Sequence, residues 1–195
     1  IGIKMDLSGV FVTNDVMLDK DLWLKAGDLI EEVDSVSILK LENMEKTFSG
    51  TDDKQAVTLV IVRNNERIQV QSDSAAIKRL IPFLKDKTEG TGTLTYVDPE
   101  KGTYGALGHQ IIDSSFNSPP SFTEGAIYLY KIGQIRKSVP GHPGYKISTI
   151  LKDDNVLGSI NKNGIYGIFG SWNDAYKKVL ADPLEIMQPS VVNEG

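Results

Sequence analysis

Short runs of aliphatic and β-branched residues recur along the whole chain, and each is soon stopped by Gly, Pro, Asn or Asp. Eighteen Gly and eight Pro among 195 residues supply this punctuation. Such runs are too short for a helical bundle and must pair to satisfy their backbone groups. The expectation is a mainly β fold with minor α, of the kind built from small barrels and sandwiches.

Residues 3–5 and 10–13 are expected as strands around a turn at Ser8-Gly9, followed by strands at 29–33 and 36–38. Leu41, Met44 and Phe48 recur at three- and four-residue spacing, which predicts a short amphipathic helix. Residues 56–63 and 67–71 read as a hairpin closed by Asn64-Asn65, residues that tolerate the positive φ of a tight turn. Residues 72–87 carry both helical and strand signals, interrupted by Pro82. Strands are then expected at 92–97, 104–112, 126–135, 145–151, 156–161 and 166–169, and a short helix at 172–181. A boundary within 72–90 divides the chain into residues 1–75, a linking segment 76–90, and residues 91–195.

Composition narrows the function classes. Apolar residues are 40 % of the chain, enough to bury a core of ordinary size. Lys plus Arg is 21 and Asp plus Glu is 26, a net charge of −5 that disfavours nucleic acid as a partner. There is no Cys, which excludes disulfides, thiolate nucleophiles and Cys-based metal sites. No stretch is apolar for the ~20 residues that span a bilayer. The chain starts with Ile1, so residues ahead of it are expected to have been processed or trimmed away, and an anchor, if any, lies before Ile1.

In the first part, Lys25-Ala26-Gly27-Asp28-Leu29-Ile30 resembles the Gly-Asp turn of PDZ domains of the bacterial protease type. PDZ domains bind a peptide by adding it as a strand to an exposed edge. By this resemblance, Ile1, Gly2 and Ile3 form the loop that takes a terminal carboxylate. The groove would lie between residues 3–5 and the helix that carries Leu41 and Met44. The plainer reading is a β-rich domain whose helix packs on its own sheet.

In the second part, chemistry centres on two His. His109 lies in Tyr104-Gly105-Ala106-Leu107-Gly108-His109, where flanking Gly leaves the backbone bare. A neutral imidazole accepts a proton near pH 7, so His109 is the candidate general base, against a bland strand or surface His. His142, in Pro140-Gly141-His142-Pro143, reads as a loop residue. A metal site of His109, Asp113 and His142 is an alternative without any established ligand spacing, so none is expected. No GxSxG nucleophile motif and no Gly-rich phosphate cradle occurs, and Ser171 carries no sign of activation.

The Tyr104–His109 motif resembles the catalytic-His motif of the SpoIVB (stage IV sporulation protein B) family of serine peptidases. Other pieces fall in the same order. Gly90-Thr91-Gly92-Thr93-Leu94-Thr95-Tyr96, Pro140-Gly141-His142-Pro143-Gly144 and Gly158-Ser159-Ile160-Asn161-Lys162-Asn163 with Tyr166-Gly167-Ile168-Phe169-Gly170 all have family counterparts. Asp113 matches the family's "GHxIxD" run without being its triad Asp. The resemblance implies a PDZ module followed by part of a chymotrypsin-like β-barrel peptidase domain. It implies a His–Asp–Ser triad of which only His109 falls inside this sequence, with Asp and Ser downstream and the chain alone inactive. No cofactor is implied. The implied partners are a peptide or protein substrate, a membrane-protein regulator of an intramembrane protease, and the protein's own N-terminal region as a self-cleavage substrate. The implied location is the space between forespore and mother cell, and the implied outcome is activation of a late mother-cell sigma factor. The alternative is a non-catalytic, peptide-binding pseudo-peptidase. A metal-dependent hydrolase is a third reading.

Overall fold

The computed structural model describes residues 1–150, 155–184 and 186. Its first strand, β1 (Gly2–Val12), explains the architecture. Ile3, Met5 and Leu7 are buried at odd positions, then Val10 and Val12 at even ones. Because side chains alternate across a strand, the change of parity swaps the buried face. The ladder register slips over the same residues, between Asp6 and Leu7 against one neighbour and between Asp6 and Phe11 against another. The expected turn at Ser8-Gly9 is therefore a bulged point inside one continuous strand. Ile3 and Met5 enter one apolar cluster, while Val10 and Val12 enter the other.

After β1 come a small hairpin, β2 (Val16–Asp19) and β3 (Leu22–Leu24), then β4 (Leu29–Val33) and β5 (Val36–Ser37). Helix α1 (Leu41–Phe48) follows, burying Met44 and Phe48 as their spacing predicts. β6 (Ala56–Arg63) and β7 (Glu66–Asp73) form the predicted hairpin, with Asn64 and Asn65 at φ 52° and 66°. The ambiguous stretch resolves into α2 (Ser74–Leu80), a 3₁₀ turn, and β8 (Leu84–Thr91). The Asp73 carboxylate accepts from Ala76 N at 2.7 Å and caps α2. Pro82 sits in the 3₁₀ turn, where its missing N–H costs least.

The remaining strands are β9 (Leu94–Asp98), β10 (Thr103–Ala106), β11 (Phe122–Tyr128), β12 (Tyr130–Arg136), β13 (Tyr145–Ile150), β14 (Val156–Ser159), β15 (Lys162–Gly164) and β16 (Gly167–Ser171). The expected strand at 126–135 is two strands, because Leu129 N leaves the ladder to donate to Asn155 O at 3.1 Å. The expected helix at 172–181 is only a 3₁₀ segment, Asp174–Val179. Residue 151, the expected end of another strand, lies outside the described residues.

One large sheet runs in the order β14-β11-β1-β4-β6-β7, with β5 on β4 and β8 on β1. A second sheet has the order β15-β16-β10-β9. β2–β3 and β12–β13 stand as separate two-stranded ribbons. The mainly β expectation holds, and the sheets stay open: no closed barrel forms among the described residues.

The expected peptide groove is not open. Residues 2–6 of β1 are bonded to β11 on one side and to β8 on the other, so no edge is left there for an incoming strand. β8 occupies the expected groove, and its Asp86 carboxylate accepts from Leu41 N at 3.0 Å. Met44 is fully buried in the first cluster and Leu41 packs against it. Ile1 is tied down by a bond from its N to Gly92 O at 2.8 Å, and Gly2 and Ile3 are ladder residues. This corrects the reading of Ile1, Gly2, Ile3, Leu41 and Met44 as a peptide site: apolar spacing shows that a helix buries a face, and only tertiary structure shows what covers it.

Candidate active site

Strand β10 stops at Ala106, well short of the expected residue 112. Leu107 and Gly108 are both left-handed, at φ 79° and 84°. Gly adopts that region freely, whereas Leu there costs about 1–2 kcal/mol. Its neighbours hold it. Leu107 N donates to Thr93 O at 3.0 Å. The Leu107 side chain fills the space beside Gly92, where an added Cβ would lie 2.0 Å from Leu107 Cδ2. From behind, Gly167 of β16 approaches so closely that an added Cβ would lie 2.3 Å from Ala106 O. The glycines around residues 92 and 167 are thus the sockets in which the bend sits.

The bend delivers His109 to the surface. Its Nδ1 lies 3.0 Å from Gln110 O. A carbonyl oxygen can only accept, so Nδ1 is the donor in this contact, and in the neutral ring Nε2 is then the acceptor. That tautomer is the one a general base needs. Among the described residues no Ser or Asp side chain bonds to His109.

The segment after His109 is clamped from two directions. Asn163 of β15 accepts from Ile111 N at 2.8 Å and donates to Ile111 O at 3.0 Å, replacing a strand partner with one side chain. Gln110 Nε2 donates to Asn163 O at 3.3 Å. Further along, the Asp113 side chain is completely buried. Its Oδ2 accepts from Lys85 Nζ at 2.7 Å and from Thr88 Oγ1, and its Oδ1 accepts from Ser115 N at 2.9 Å. Burial alone would raise the Asp113 pKa, but the bonds from Lys85, Thr88 and Ser115 and the Lys85 charge outweigh it. The carboxyl is held below its ordinary value. Lys85 and Thr88 both lie on β8, so Asp113 ties the His109 segment to the strand that runs along β1. It is a positioning residue, not a partner of the imidazole.

Between these two segments lies a cleft of about 360 Å³. Thr88, Glu89, Gly90 and Thr91 form one wall, and Leu107, His109, Ile111 and Ile112 form the other. The backbone of the first wall is half unused. Ile1 and Gly92 exchange two hydrogen bonds, and the register continues as Ile3 with Gly90 and Met5 with Thr88. Antiparallel pairing alternates, so the N–H and C=O groups of Glu89 and Thr91 point away from β1. Among the described residues, no other strand pairs with β8.

His142 stands elsewhere, in a turn where Val139 and His142 exchange backbone bonds at 3.0 and 2.9 Å. His109, Asp113 and His142 are not brought together, and the described residues hold no group of three or more His, Asp or Glu side chains that could hold a metal ion. Asn163 and the left-handed Leu107 were not singled out in the sequence. Their only signal was membership in the Gly158–Asn163 and Tyr104–His109 motifs.

A proton-accepting His beside an open peptide-sized cleft defines a candidate hydrolase site. The family model described as SpoIVB peptidase S55 matches residues 78–195, about three-fifths of the chain. The chain belongs to this family of serine peptidases associated with sporulation. The match begins within α2 and takes in β8, the His109 bend and the β15–β16 clamp. No curated protein and no solved structure matches the chain.

Proposed function

We propose that His109 is the general base of a serine endopeptidase whose substrate lies extended in the cleft between β8 and residues 107–112. The observation that carries this is the place of the exposed His109 ring on the wall of the cleft, with Nδ1 3.0 Å from Gln110 O so that the neutral ring keeps Nε2 as its acceptor. In the reaction, Nε2 takes the proton from an attacking Ser hydroxyl and later gives it to the leaving amine. The unpaired backbone groups of Glu89 and Thr91 suit an extended peptide, which needs alternating donors and acceptors. We further propose that the Ser and Asp come from sequence downstream of residue 195, so that this chain alone is inactive.

The biological setting is part of the same proposal. The enzyme cuts itself, then clips a membrane-protein regulator of an intramembrane protease in the space between forespore and mother cell. The test is His109→Gln in the intact protein. Ser and His act as a unit, so turnover of a protein substrate should fall by on the order of 10⁵–10⁶-fold with an unchanged melting curve. Cleavage at the wild-type rate would overturn the role of His109. A wild-type protein that cleaves nothing would favour the pseudo-peptidase.

A further inference from the structure

The ribbon formed by β12 and β13 is set apart from both apolar clusters. Among the described residues, its two strands pair only with each other. Neither cluster, among the described residues, includes a side chain of the ribbon. Its seven-residue strand, at about 3.3 Å per residue, extends roughly 23 Å before the turn begins.

Its surface is unusual in two independent ways. Among the described residues, six of the seventeen exposed large hydrophobic ones fall between 129 and 150: Leu129, Ile132, Ile135, Val139, Tyr145 and Ile147. Single exposed aliphatics are ordinary, but such a concentration marks a surface that meets something apolar. The pairing register places Ile132 and Ile135 on one face, with Tyr130, and sets Arg136 beside Tyr145 on the other. The second feature is charge. Residues 129–150 contain Lys131, Arg136, Lys137 and Lys146 and no Asp or Glu. The segment therefore carries +4, while the rest of the −5 chain carries −9. Lys131, Arg136 and Lys137 form no ion pair with any described residue. Arg136 instead lies over the Tyr145 ring, 5.8 Å from its centroid.

We propose that the β12–β13 ribbon is a lipid-binding element that docks on an anionic bilayer surface. Aliphatic side chains and the Tyr145 ring enter the interfacial zone, where amphipathic rings are favoured. The cations meet lipid phosphates, each worth roughly fivefold in affinity near such a surface. The −9 on the remainder would be repelled, which orients the molecule with the ribbon towards the membrane. An acidic protein would satisfy the cations, but it gives no reason for aliphatic side chains on both faces of a two-stranded ribbon.

The experiment is co-sedimentation of the whole chain with vesicles of phosphatidylcholine alone and of 7:3 phosphatidylcholine to phosphatidylglycerol. The wild type should pellet with the mixed vesicles and remain soluble with the neutral ones. Raising salt from 0.1 to 0.5 M should release most of it, because such contacts are screened. The triple variant Lys131→Gln, Arg136→Gln, Lys137→Gln should lose on the order of a hundredfold in partition coefficient. Ile135→Asp should lose binding without losing the cations. Both variants alter exposed side chains outside the clusters, so their melting curves should match the wild type. Equal pelleting with both vesicle types would overturn the proposal. So would no pelleting at all, an outcome that leaves an acidic protein as the partner. Neither result bears on His109.

Discussion

Replacing Asp113 by Asn tests the link between β8 and the His109 segment. The substitution keeps an acceptor for Ser115 N but puts an amide in place of the oxygen that receives Lys85 Nζ at 2.7 Å and Thr88 Oγ1. A hydrogen bond between charged groups contributes about 1.5–3 kcal/mol, and breaking a fully buried pair costs about 3–5 kcal/mol. Lys85 keeps 21 % of its side chain exposed, so its ammonium can regain some water. That places the loss at the lower level, about 2 kcal/mol, or roughly 4–8 °C in melting temperature for a chain of this size. The pH dependence supplies the sharper signature. The Asp113 pKa is lowered from 3.8 in the folded protein, so its stabilising contribution is complete above that value. It is lost as pH falls through the lower folded pKa. Thermal melts followed by circular dichroism from pH 7 down to pH 2 would show an acid slope in the wild type that is reduced in the variant. Amide exchange at residues 109–112 should also quicken. A variant melting within 1 °C of wild type at pH 7, with the same acid slope, would refute the reasoning.

Substitutions at three further positions probe the same region. Asn163→Ala leaves the N–H and C=O of Ile111 without their side-chain partner, and should cost about 1–3 kcal/mol by denaturant melt, with Asn163→Asp intermediate. Gly167→Ala forces a Cβ to 2.3 Å from Ala106 O at a φ of 128°, so stability should fall by at least ~3 kcal/mol and the His109 ring signals should shift in NMR spectra; wild-type stability would mean that the approach is looser than described. Tyr104→Phe removes a buried hydroxyl that has no partner among the described residues, and should be neutral or stabilising by up to about 1 kcal/mol, whereas a loss of that size would show that the hydroxyl is bonded.

Several parts of this architecture were legible in one dimension because local chemistry decides them. The spacing of Leu41, Met44 and Phe48 predicts α1, and Asn64-Asn65 predicts the β6–β7 turn at its observed place. His109 stood out through its motif's resemblance to the family's catalytic-His run, because a Gly-flanked His by itself reads equally well as a bland strand or surface residue. The strand around it was misjudged. Residues 104–112 read as continuous, yet β10 ends at Ala106, because Leu107 is held left-handed by Gly92, Thr93 and Gly167. No local pattern announces a constraint that comes from sixty residues away.

The peptide groove shows the same division. Apolar periodicity established that α1 has a face to bury and that residues 3–5 form a strand. It could not say that β8 would lie between them, because strand pairing is settled by competition among all available edges. Residue order and type therefore determined the mainly β class, the helix and the hairpin, and singled out His109 as a candidate. The open edge of β8, the Asp113 anchor and the Asn163 clamp were decided in three dimensions, where groups far apart in the chain must satisfy one another's hydrogen bonds.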